Sequence, residues 1–531
     1  MVDSVKSERF LAERLAERLG PGRVFMDETT LHEYAMDASP CYVRPRALVR
    51  ARCEADVVAT LRVCRELRVP VTPRAAGTSL SGAAIGPGVV LETTALAEIV
   101  SFDPAASIVR VGPGVLLRGL NAFLATRGFR FPLEPGSLEW CRIGGMVGHN
   151  ASGYRSVKYG QTKDYVVGLR VILAEGEAID AADVRLDSTE WEALVGRVPA
   201  LEAVRRTVEE HRDAILASRR PVRKHACGYD LWAVAEGLAR GVFPVASLFV
   251  GSEGTLGVVT QVALRVLPVP SRHMTLLLFL DRLEDLGRIV GDLLPLGPSA
   301  MEAVDGGSLD LVGRDAFRVP ASARAMLLVE FDEGDLGAIA RHVANEIGPR
   351  YALSRPIDLE SDPERQAVLW RARRALFPSL LKRPGRRRPW GFVEDPIVPV
   401  DRVPEFVAFL DALTQKYGTV AGIYGHVGDG NTHYRPLFDP TDPEDFERMR
   451  ALRNEFDDAV LDRFRGAPSA EHGLGRIRGE LLERTWGREV ADAMRDVKRA
   501  FDSDGLLNPG VLFSDAPWWE TWAGLEARTP M

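Results

Sequence analysis

The sequence lacks any long hydrophobic run. Its most apolar stretches, YVVGLRVILA and MTLLLFL, fall far short of the roughly 20 residues that a membrane-spanning helix requires, so a soluble chain is expected. Positive charge is not in excess either. The 67 Lys and Arg against 74 Asp and Glu leave a formal net charge of -7, which removes the electrostatic argument for nucleic acid or an anionic membrane as partner and favours small molecules. Cysteine is scarce and unpatterned: Cys41, Cys53, Cys64, Cys141 and Cys227 are odd in number and include no CxxC pair. That argues against a disulfide framework and an iron–sulfur cluster, and for reduced thiols in the cytoplasm. Electrons handled by such a chain must leave for another molecule. The first residues lack an apolar signal core; Phe10, Leu11, Leu15 and Leu19 instead sit at helical spacing among alternating acids and bases. Repeats and low-complexity tracts are absent.

With 531 residues, 46% of them hydrophobic, there is ample material for several cores. EADVVATLRVCRELRVPVTPRAAGTSLSG reads as a helix, a short β-rich run and a loop dense in Gly and Ser. GVVLE, SIVRVG, YVVGLRVILAEG and TLGVVTQVALRVLP are β-branched runs separated by glycine turns, predicting a sheet-rich domain over 41–270 behind a helical segment at 1–40. Residues about 188–245 carry apolar positions at helical spacing and read as an insertion. From His273 the pattern changes to strands such as MTLLLFL and AMLLVEF alternating with helices, predicting a second α+β domain over 271–470 with an antiparallel sheet backed by helices. Residues 471–531 form a closing segment with Trp518, Trp519 and Trp522, expected to pack against the body.

Three loops carry the first chemical signal. In PRAAGTSLSG, successive Gly and Ser residues allow backbone N–H groups to converge on a diphosphate, with Arg74 as a possible added charge. IGGMVGHNASGYRSVKYGQTKDYVVGLRVILAEG and GSEGTLGVVTQVALRV follow in order. GPGVLLRG, by contrast, has the wrong glycine spacing for a dinucleotide fingerprint, which discards bound NAD. Together the three loops resemble the flavin-binding domain of the vanillyl-alcohol oxidase and p-cresol methylhydroxylase superfamily, in which FAD lies extended between two α/β subdomains. The resemblance implies that Arg74, Gly77, Thr78, Ser79 and Gly82 bind the FAD diphosphate. It implies further that Pro135, Gly144, Gly145, Asn150, Ser152, Gly153, Gly160 and Asp164 line the flavin ring and ribityl chain, and that Glu253, Gly257 and Val258 lie near adenine and ribose. Members that tether FAD through a histidine place it in the first loop, where this chain has Ala76, Gly77 and Thr78, so noncovalent FAD is expected and Cys141 is expected to be a buried free thiol.

GHVGDGNTH places His426 and His433 around a glycine-rich turn, and SAEHGLG adds Glu471 and His472. Two imidazoles and a carboxylate suit Zn²⁺ or Mn²⁺ with open positions; the alternative is that each histidine satisfies a local hydrogen bond. GHVGDGNTH, EHGLG and LLNPG resemble the C-terminal half of the FAD-linked D-2-hydroxyacid dehydrogenases, the family of D-lactate dehydrogenase, the glycolate oxidase flavoprotein subunit and D-2-hydroxyglutarate dehydrogenase. The resemblance implies a metal on His426, His433 and Glu471, His472 as base, and Asn508 approaching the flavin ring. It also implies an α+β fold with a ferredoxin-like cap, and oxidation of a D-2-hydroxy acid with electrons passed to quinone, cytochrome c, electron-transferring flavoprotein or an iron–sulfur subunit. Alternatives within the fold are a subunit active only in a glycolate oxidase-type complex, a transferase of the alkyldihydroxyacetonephosphate synthase kind that uses FAD without net redox, and NADPH-dependent reduction of an enolpyruvyl sugar nucleotide.

Arg373, after LWRA, matches an arginine the family uses on the substrate carboxylate, a role suited to its planar fork. Val393 stands where the hydroxyglutarate enzymes carry lysine, and Arg435 where they carry asparagine, which points away from hydroxyglutarate. Arg435, two residues past His433, lies on the same strand face and is expected to offer a cation to the pocket. His225 and Tyr229 in RKHACGYDL are expected to line the pocket, and KRPGRRRPW is expected to be a solvated basic loop. A homodimer and a cytoplasmic location, peripheral to a membrane through a partner, complete the expectations.

Overall fold

The computed structural model describes residues 2–522. Residue spacing decides which face each element buries. In helix α1 (Val2–Leu19), Leu11, Leu15 and Leu19 recur every fourth residue and are buried with Val57, Leu61 and Cys64 of α2 (Glu54–Glu66). Both helices lie against a sheet of β1 (Val24–Phe25), β2 (Ala47–Arg50), β3 (Val71–Arg74) and β4 (Val89–Glu92), in the order β1-β2-β4-β3. β2, β4 and β3 run parallel, with α2 as the connection between β2 and β3. The closing segment returns to this sheet: the Val71 N–H donates to Leu506 O and the Asn508 N–H donates to Val71 O.

The second sheet comprises β5 (Ile99–Asp103), β6 (Ile108–Val111), β7 (Val166–Ile172), β8 (Ala178–Ala181) and β9 (Val258–Arg265), antiparallel in the order β5-β6-β9-β7-β8. Helix α3 (Ile143–His149) precedes β7, and the helices Thr189–Arg197, Ala200–Glu210, Arg212–Ala217 and Leu231–Ala239 lie between β8 and β9. The fold is thus α+β with the two-sheet arrangement expected of the flavin-binding domain.

The third sheet is antiparallel throughout: β10 (Met274–Leu280), β11 (Ala300–Asp305), β12 (Ala325–Phe331), β13 (Asp358–Glu360), β14 (Arg388–Pro389), β15 (Ala421–His426) and β16 (His433–Phe438), in the order β13-β10-β12-β11-β15-β16-β14. On β10, Leu276, Leu278 and Leu280 pack with Ile289, Val290, Phe406 and Leu410 on covering helices, whereas Leu277 and Phe279 pack with Leu328, Trp370 and Leu376 on the opposite face. Both faces are buried, so MTLLLFL reads as an unbroken apolar run instead of an alternating one.

Charged side chains fasten this sheet to the glycine-rich second loop. Arg155 makes a bidentate contact with Glu330 of β12 at 2.7 and 2.9 Å, and Lys158 Nζ lies 2.6 Å from Asp332. Both the Arg155 and Glu330 side chains are buried, and the burial cost is offset by their pairing together with Glu134 beside Arg155 and the Trp370 and Ser299 donors on Glu330.

Candidate active site

A cavity of about 610 Å³ is bounded by walls of two kinds. One wall is largely backbone: residues 74–80 after β3, residues 135–152 around α3, and residues 252–259 entering β9. Gly77 has φ +70°, a left-handed conformation that a side chain resists. Among the described residues, the N–H groups of Ala76, Gly77, Thr78 and Ser79 meet no protein acceptor. Orphaned donors on a glycine-rich turn suit a diphosphate, so this wall fits FAD.

Of the expected cofactor residues, Arg74, Gly77, Thr78, Ser79, Pro135, Gly144, Gly145, Ser152, Glu253, Gly257 and Val258 line the cavity. Gly82, Asn150, Gly153, Gly160, Asp164 and Asn508 do not; they shape the loops behind the wall. Asn150 ends α3 in a left-handed conformation, with its Oδ1 accepting from the Lys163 N–H at 2.9 Å. A Cβ on Gly153 would come within 2.1 Å of Glu134 O, Asp164 accepts from the Gln161 N–H beside Gly160, and Gly82 sits against Cys41. Asn508 Nδ2 donates to Ala83 O and Glu253 O at 2.8 Å each, tying the first and third loops together. Arg74 also has a structural use, because its guanidinium donates to Met36 O and Ala84 O at 2.8 and 3.2 Å.

Sequence reading missed His149, which lines the cavity and lies 3.1 Å from Ser79 Oγ; burial pushes its pKa down to about 4, so the ring is neutral. Burial likewise pushes the Glu253 carboxyl up to about 8, although it accepts N–H groups from Gly475 and Leu474. Cys141 is a free thiol on the cavity wall, raised to about 12 by burial.

The other wall is built from side chains on one face of the third sheet. Pairing sets Glu302 of β11 opposite His426 of β15, and Tyr424 of β15 opposite His433 of β16. Alternation then points His433 and Arg435 to this face and Tyr434 to the other, where it stacks on Phe456. His426 Nδ1 lies 2.5 Å from Glu302 Oε1, and His433 Nδ1 lies 3.3 Å from Glu394 O. Each ring thus turns Nδ1 to a protein acceptor and Nε2 toward Glu471, an arrangement typical of metal-ligating histidines. The two Nε2 atoms lie 3.1 and 3.7 Å from Glu471 Oε1.

Asp395 joins the remaining pieces. Its Oδ2 accepts from Ser469 Oγ at 2.7 Å and from the N–H groups of Glu471 and His472 at 3.0 and 2.8 Å, while its Oδ1 accepts from Asn431 Nδ2 at 3.1 Å. One carboxylate thereby pins the EHG loop to the GHVGDGNTH turn. Lys224, from the inserted region, is buried; its Nζ lies 2.8 Å from Ser152 Oγ, 2.9 Å from Ser156 Oγ and 3.3 Å from Glu471 Oε2. Ser152 donates to the same Oε2 at 2.5 Å. Despite burial, Lys224 and His426 hold the Glu471 carboxyl well below its ordinary range. Burial opposes charge on His426, yet Glu302 and Glu471 together push it up to about 9, whereas burial and the neighbouring imidazoles hold His433 well below its ordinary value.

Residues His426, His433 and Glu471 offer ligand atoms within 4.8 Å of one another, as do Glu394, His433 and His472, and Asp395, Glu471 and His472. The first set fits a divalent cation best: both Nε2 atoms converge on one carboxylate oxygen, whereas Glu394 and Asp395 are already held by other donors. Arg373 also reaches the cavity, with Nη2 2.6 Å from Glu302 Oε2 and its plane near the Tyr154 and Tyr424 rings. Its buried Nε has no protein partner.

Two expectations require correction. His225 packs against Trp232 and Trp486 with centroids 5.1 and 4.8 Å away, and Tyr229 Oη lies 2.7 Å from Thr255 Oγ1; neither lines the cavity, because the segment turns both rings into the core. Val393, at the position where the hydroxyglutarate enzymes carry lysine, is a core residue of the third sheet. The basic loop is largely exposed as expected, and within it Arg387 makes a bidentate contact with Asp445 at 2.7 and 2.8 Å while Arg386 lies 2.9 Å from Asp439. Trp518 and Trp522 are buried against Phe392, and no helix among the described residues is long and apolar enough to cross a membrane.

A nucleotide-sized cavity with a phosphate-ready backbone wall and a buried histidine and carboxylate wall defines a cofactor-dependent oxidoreductase. Residues 45–182 match the family described as FAD binding domain, and residues 269–512 match FAD linked oxidases, C-terminal domain. The glycolate oxidase subunit GlcD of Escherichia coli (strain K12) is 31% identical over 488 residues, covering 90% of this chain and 85% of that protein. A D-lactate dehydrogenase of Anaerostipes hadrus is 27% identical over 514 residues, covering 93% and 96%. In fold, the chain is similar to p-cresol methylhydroxylase with substrate bound, with a TM-score of 0.68 at 16% identity, covering 96% and 97%. The chain belongs to the FAD-linked oxidase family.

Proposed function

We propose that the chain oxidises a D-2-hydroxy acid to the 2-oxo acid, using noncovalent FAD and a divalent cation and passing electrons to an acceptor other than NAD. The observation that carries this reading is the convergence of His426, His433, Glu471 and His472 on a cavity whose opposite wall is the flavin-type loops. Similarity to proteins named glycolate oxidase subunit and D-lactate dehydrogenase supports the substrate class.

FAD, when bound against residues 74–80, 135–152 and 252–259, supplies the two-electron acceptor for the hydrogen at C2. Zn²⁺ or Mn²⁺, when held by His426, His433 and Glu471, supplies positive charge that lowers the pKa of the substrate hydroxyl. Arg373 binds the substrate carboxylate through the donors that Glu302 leaves free. His472 accepts the hydroxyl proton at Nε2, since its Nδ1 is engaged by Glu394. Removal of that proton and of hydride from C2 converts the hydroxyl carbon to a carbonyl. The Tyr154 and Tyr424 rings flank the Arg373 guanidinium and hold it toward the cavity. The proposed organisation is a helical segment at 1–40, the flavin domain to about 270, the substrate domain to about 470 and the returning segment beyond it.

The test is anaerobic absorbance in the flavin band during addition of D-lactate, L-lactate, glycolate and D-2-hydroxyglutarate, with and without EDTA treatment. Bleaching by a D-acid or glycolate, lost after EDTA and restored by Zn²⁺ or Mn²⁺, is expected. A flavin that no acid bleaches in metal-replete protein would sink the reading and raise transferase use of FAD.

A further inference from the structure

Glu394 is fully buried, yet it faces several cationic or proton-bearing groups. His472 Nδ1 lies 2.8 and 3.0 Å from its two oxygens, Arg435 Nη2 lies 2.9 Å from Oε2, and Arg478 Nη1 lies 3.4 Å from Oε1. Arg435 is itself confined. The Phe377 ring covers its plane at 4.4 Å, and its Nη1 is so close to Gly391 that a Cβ there would come within 2.9 Å. A guanidinium with one end on Glu394 and another against the backbone of Gly391 is poorly placed to give a substrate carboxylate a bidentate fork.

We infer that Glu394 is the positioning residue of the base, and that Arg435 locks Glu394 in place instead of binding the substrate carboxylate. Glu394 accepts the Nδ1 proton of His472, which leaves the lone pair on Nε2, turned to the side of Glu471, where His472 Nε2 lies 3.7 Å from Oε1. Arg435 and Arg478 keep the carboxylate from swinging away. The His472, Glu394 and Arg435 side chains then act as one unit, in which only His472 touches the reacting hydroxyl. Arg373 and Arg435 each keep a buried Nε without a partner, so the assignment rests on Arg435 having its Nη2 on Glu394 and its plane under Phe377. This inference rests on the proposed base role of His472.

The experiment compares wild type, Glu394→Gln, Arg435→Met, Arg435→Lys and His472→Ala, each with FAD bound. It reads the limiting rate of anaerobic bleaching by the fastest acid of the four-acid panel. It also reads the dissociation constant of oxalate, which has carboxylates but no hydrogen to surrender, from the perturbed flavin spectrum. Glu394→Gln is expected to lower the limiting rate about 100-fold and Arg435→Met about 10-fold, with oxalate affinity within about threefold of wild type, as for interactions felt only in the transition state. Arg435→Lys should recover most of the Arg435→Met loss. A tenfold weaker oxalate affinity in Arg435→Met at an unchanged rate would overturn the assignment and make Arg435 a substrate ligand. A wild-type rate in Glu394→Gln would overturn the positioning role while leaving the base reading intact. If His472→Ala bleaches at the wild-type rate, the base reading fails and the inference fails with it. Should Glu394→Gln not fold, the Arg435 variants and the oxalate titration decide alone.

Discussion

The cavity's two walls solve opposite problems. The flavin-side wall is built largely from backbone, with glycine at left-handed positions and N–H groups left open, and its charged side chains are few, Arg74 and Glu253 among them. The facing wall carries charge: His426, His433, Arg373, Arg435, Glu471 and the partly exposed His472 line the cavity, backed by buried Glu302, Glu394, Asp395 and Lys224. A backbone wall tolerates exchange of most side chains but not of conformation. A charged wall tolerates neither loss of a group nor loss of its partner, because all its members but His472 are buried. The difference separates cofactor binding from chemistry, and mutations should respect that separation.

The largest effect is expected from His472→Ala. Loss of a positioned base should slow flavin bleaching by about 10²- to 10⁴-fold, while the flavin content of the purified protein stays at the wild-type level. Stopped-flow absorbance under anaerobic conditions measures the first quantity and acid extraction of the yellow chromophore the second. Loss of flavin in parallel with rate would erase the proposed division between the walls.

Next in size is Lys224→Met. Here the effect belongs to stability as well as rate, because Glu471 would lose a buried cation 3.3 Å away and Ser152 and Ser156 would lose a shared donor. Breaking a buried pair on one side typically costs about 3–5 kcal/mol. Denaturant unfolding should show a clearly lowered midpoint, whereas substitution of the exposed Arg185 beside Asp187 should leave the midpoint in place.

How much of this was legible in the sequence follows the same division. Glycine loops advertise themselves, since only glycine accepts φ +70° at position 77 or a φ of +123° at position 153, and the loops at 74–82, 135–164 and 253–258 were readable as a set. The ligand histidines were readable because the GHVGDGNTH turn compresses them into nine residues. Their partners were not: Glu302, Glu394, Asp395 and Lys224 come from distant segments and meet the histidines only through strand pairing and loop packing. A lone acid in AMEAVD or GFVED carries no local mark of its purpose. The one available signal was an acid within an otherwise apolar run, such as Glu302 between Met301 and Ala303, where burial demands a partner. His225 and Tyr229 failed in the opposite direction, because a motif that looks poised for a pocket is equally suited to packing against Trp232 and Trp486.

The smallest expected effect sharpens the contrast most. Gly77→Ala adds one methyl at φ +70°, where the strain for a residue with a Cβ is about 1–2 kcal/mol, and that Cβ would stand 2.2 Å from the Arg74 guanidinium. Since Arg74 is held by Met36 O and Ala84 O, the loop must yield, turning N–H groups away from the diphosphate they are proposed to bind. FAD affinity should weaken about tenfold, a change of about 1.4 kcal/mol, as read by equilibrium dialysis of the apoprotein. Protein reloaded with excess FAD should bleach at close to the wild-type rate, because nothing on the charged wall has moved. Thr78→Ala provides the complementary case. It removes a hydroxyl but keeps the backbone, so affinity should stay within about threefold if N–H groups do the binding. A larger loss in Thr78→Ala than in Gly77→Ala would mean that side chains hold the phosphates, and the first wall would then resemble the second.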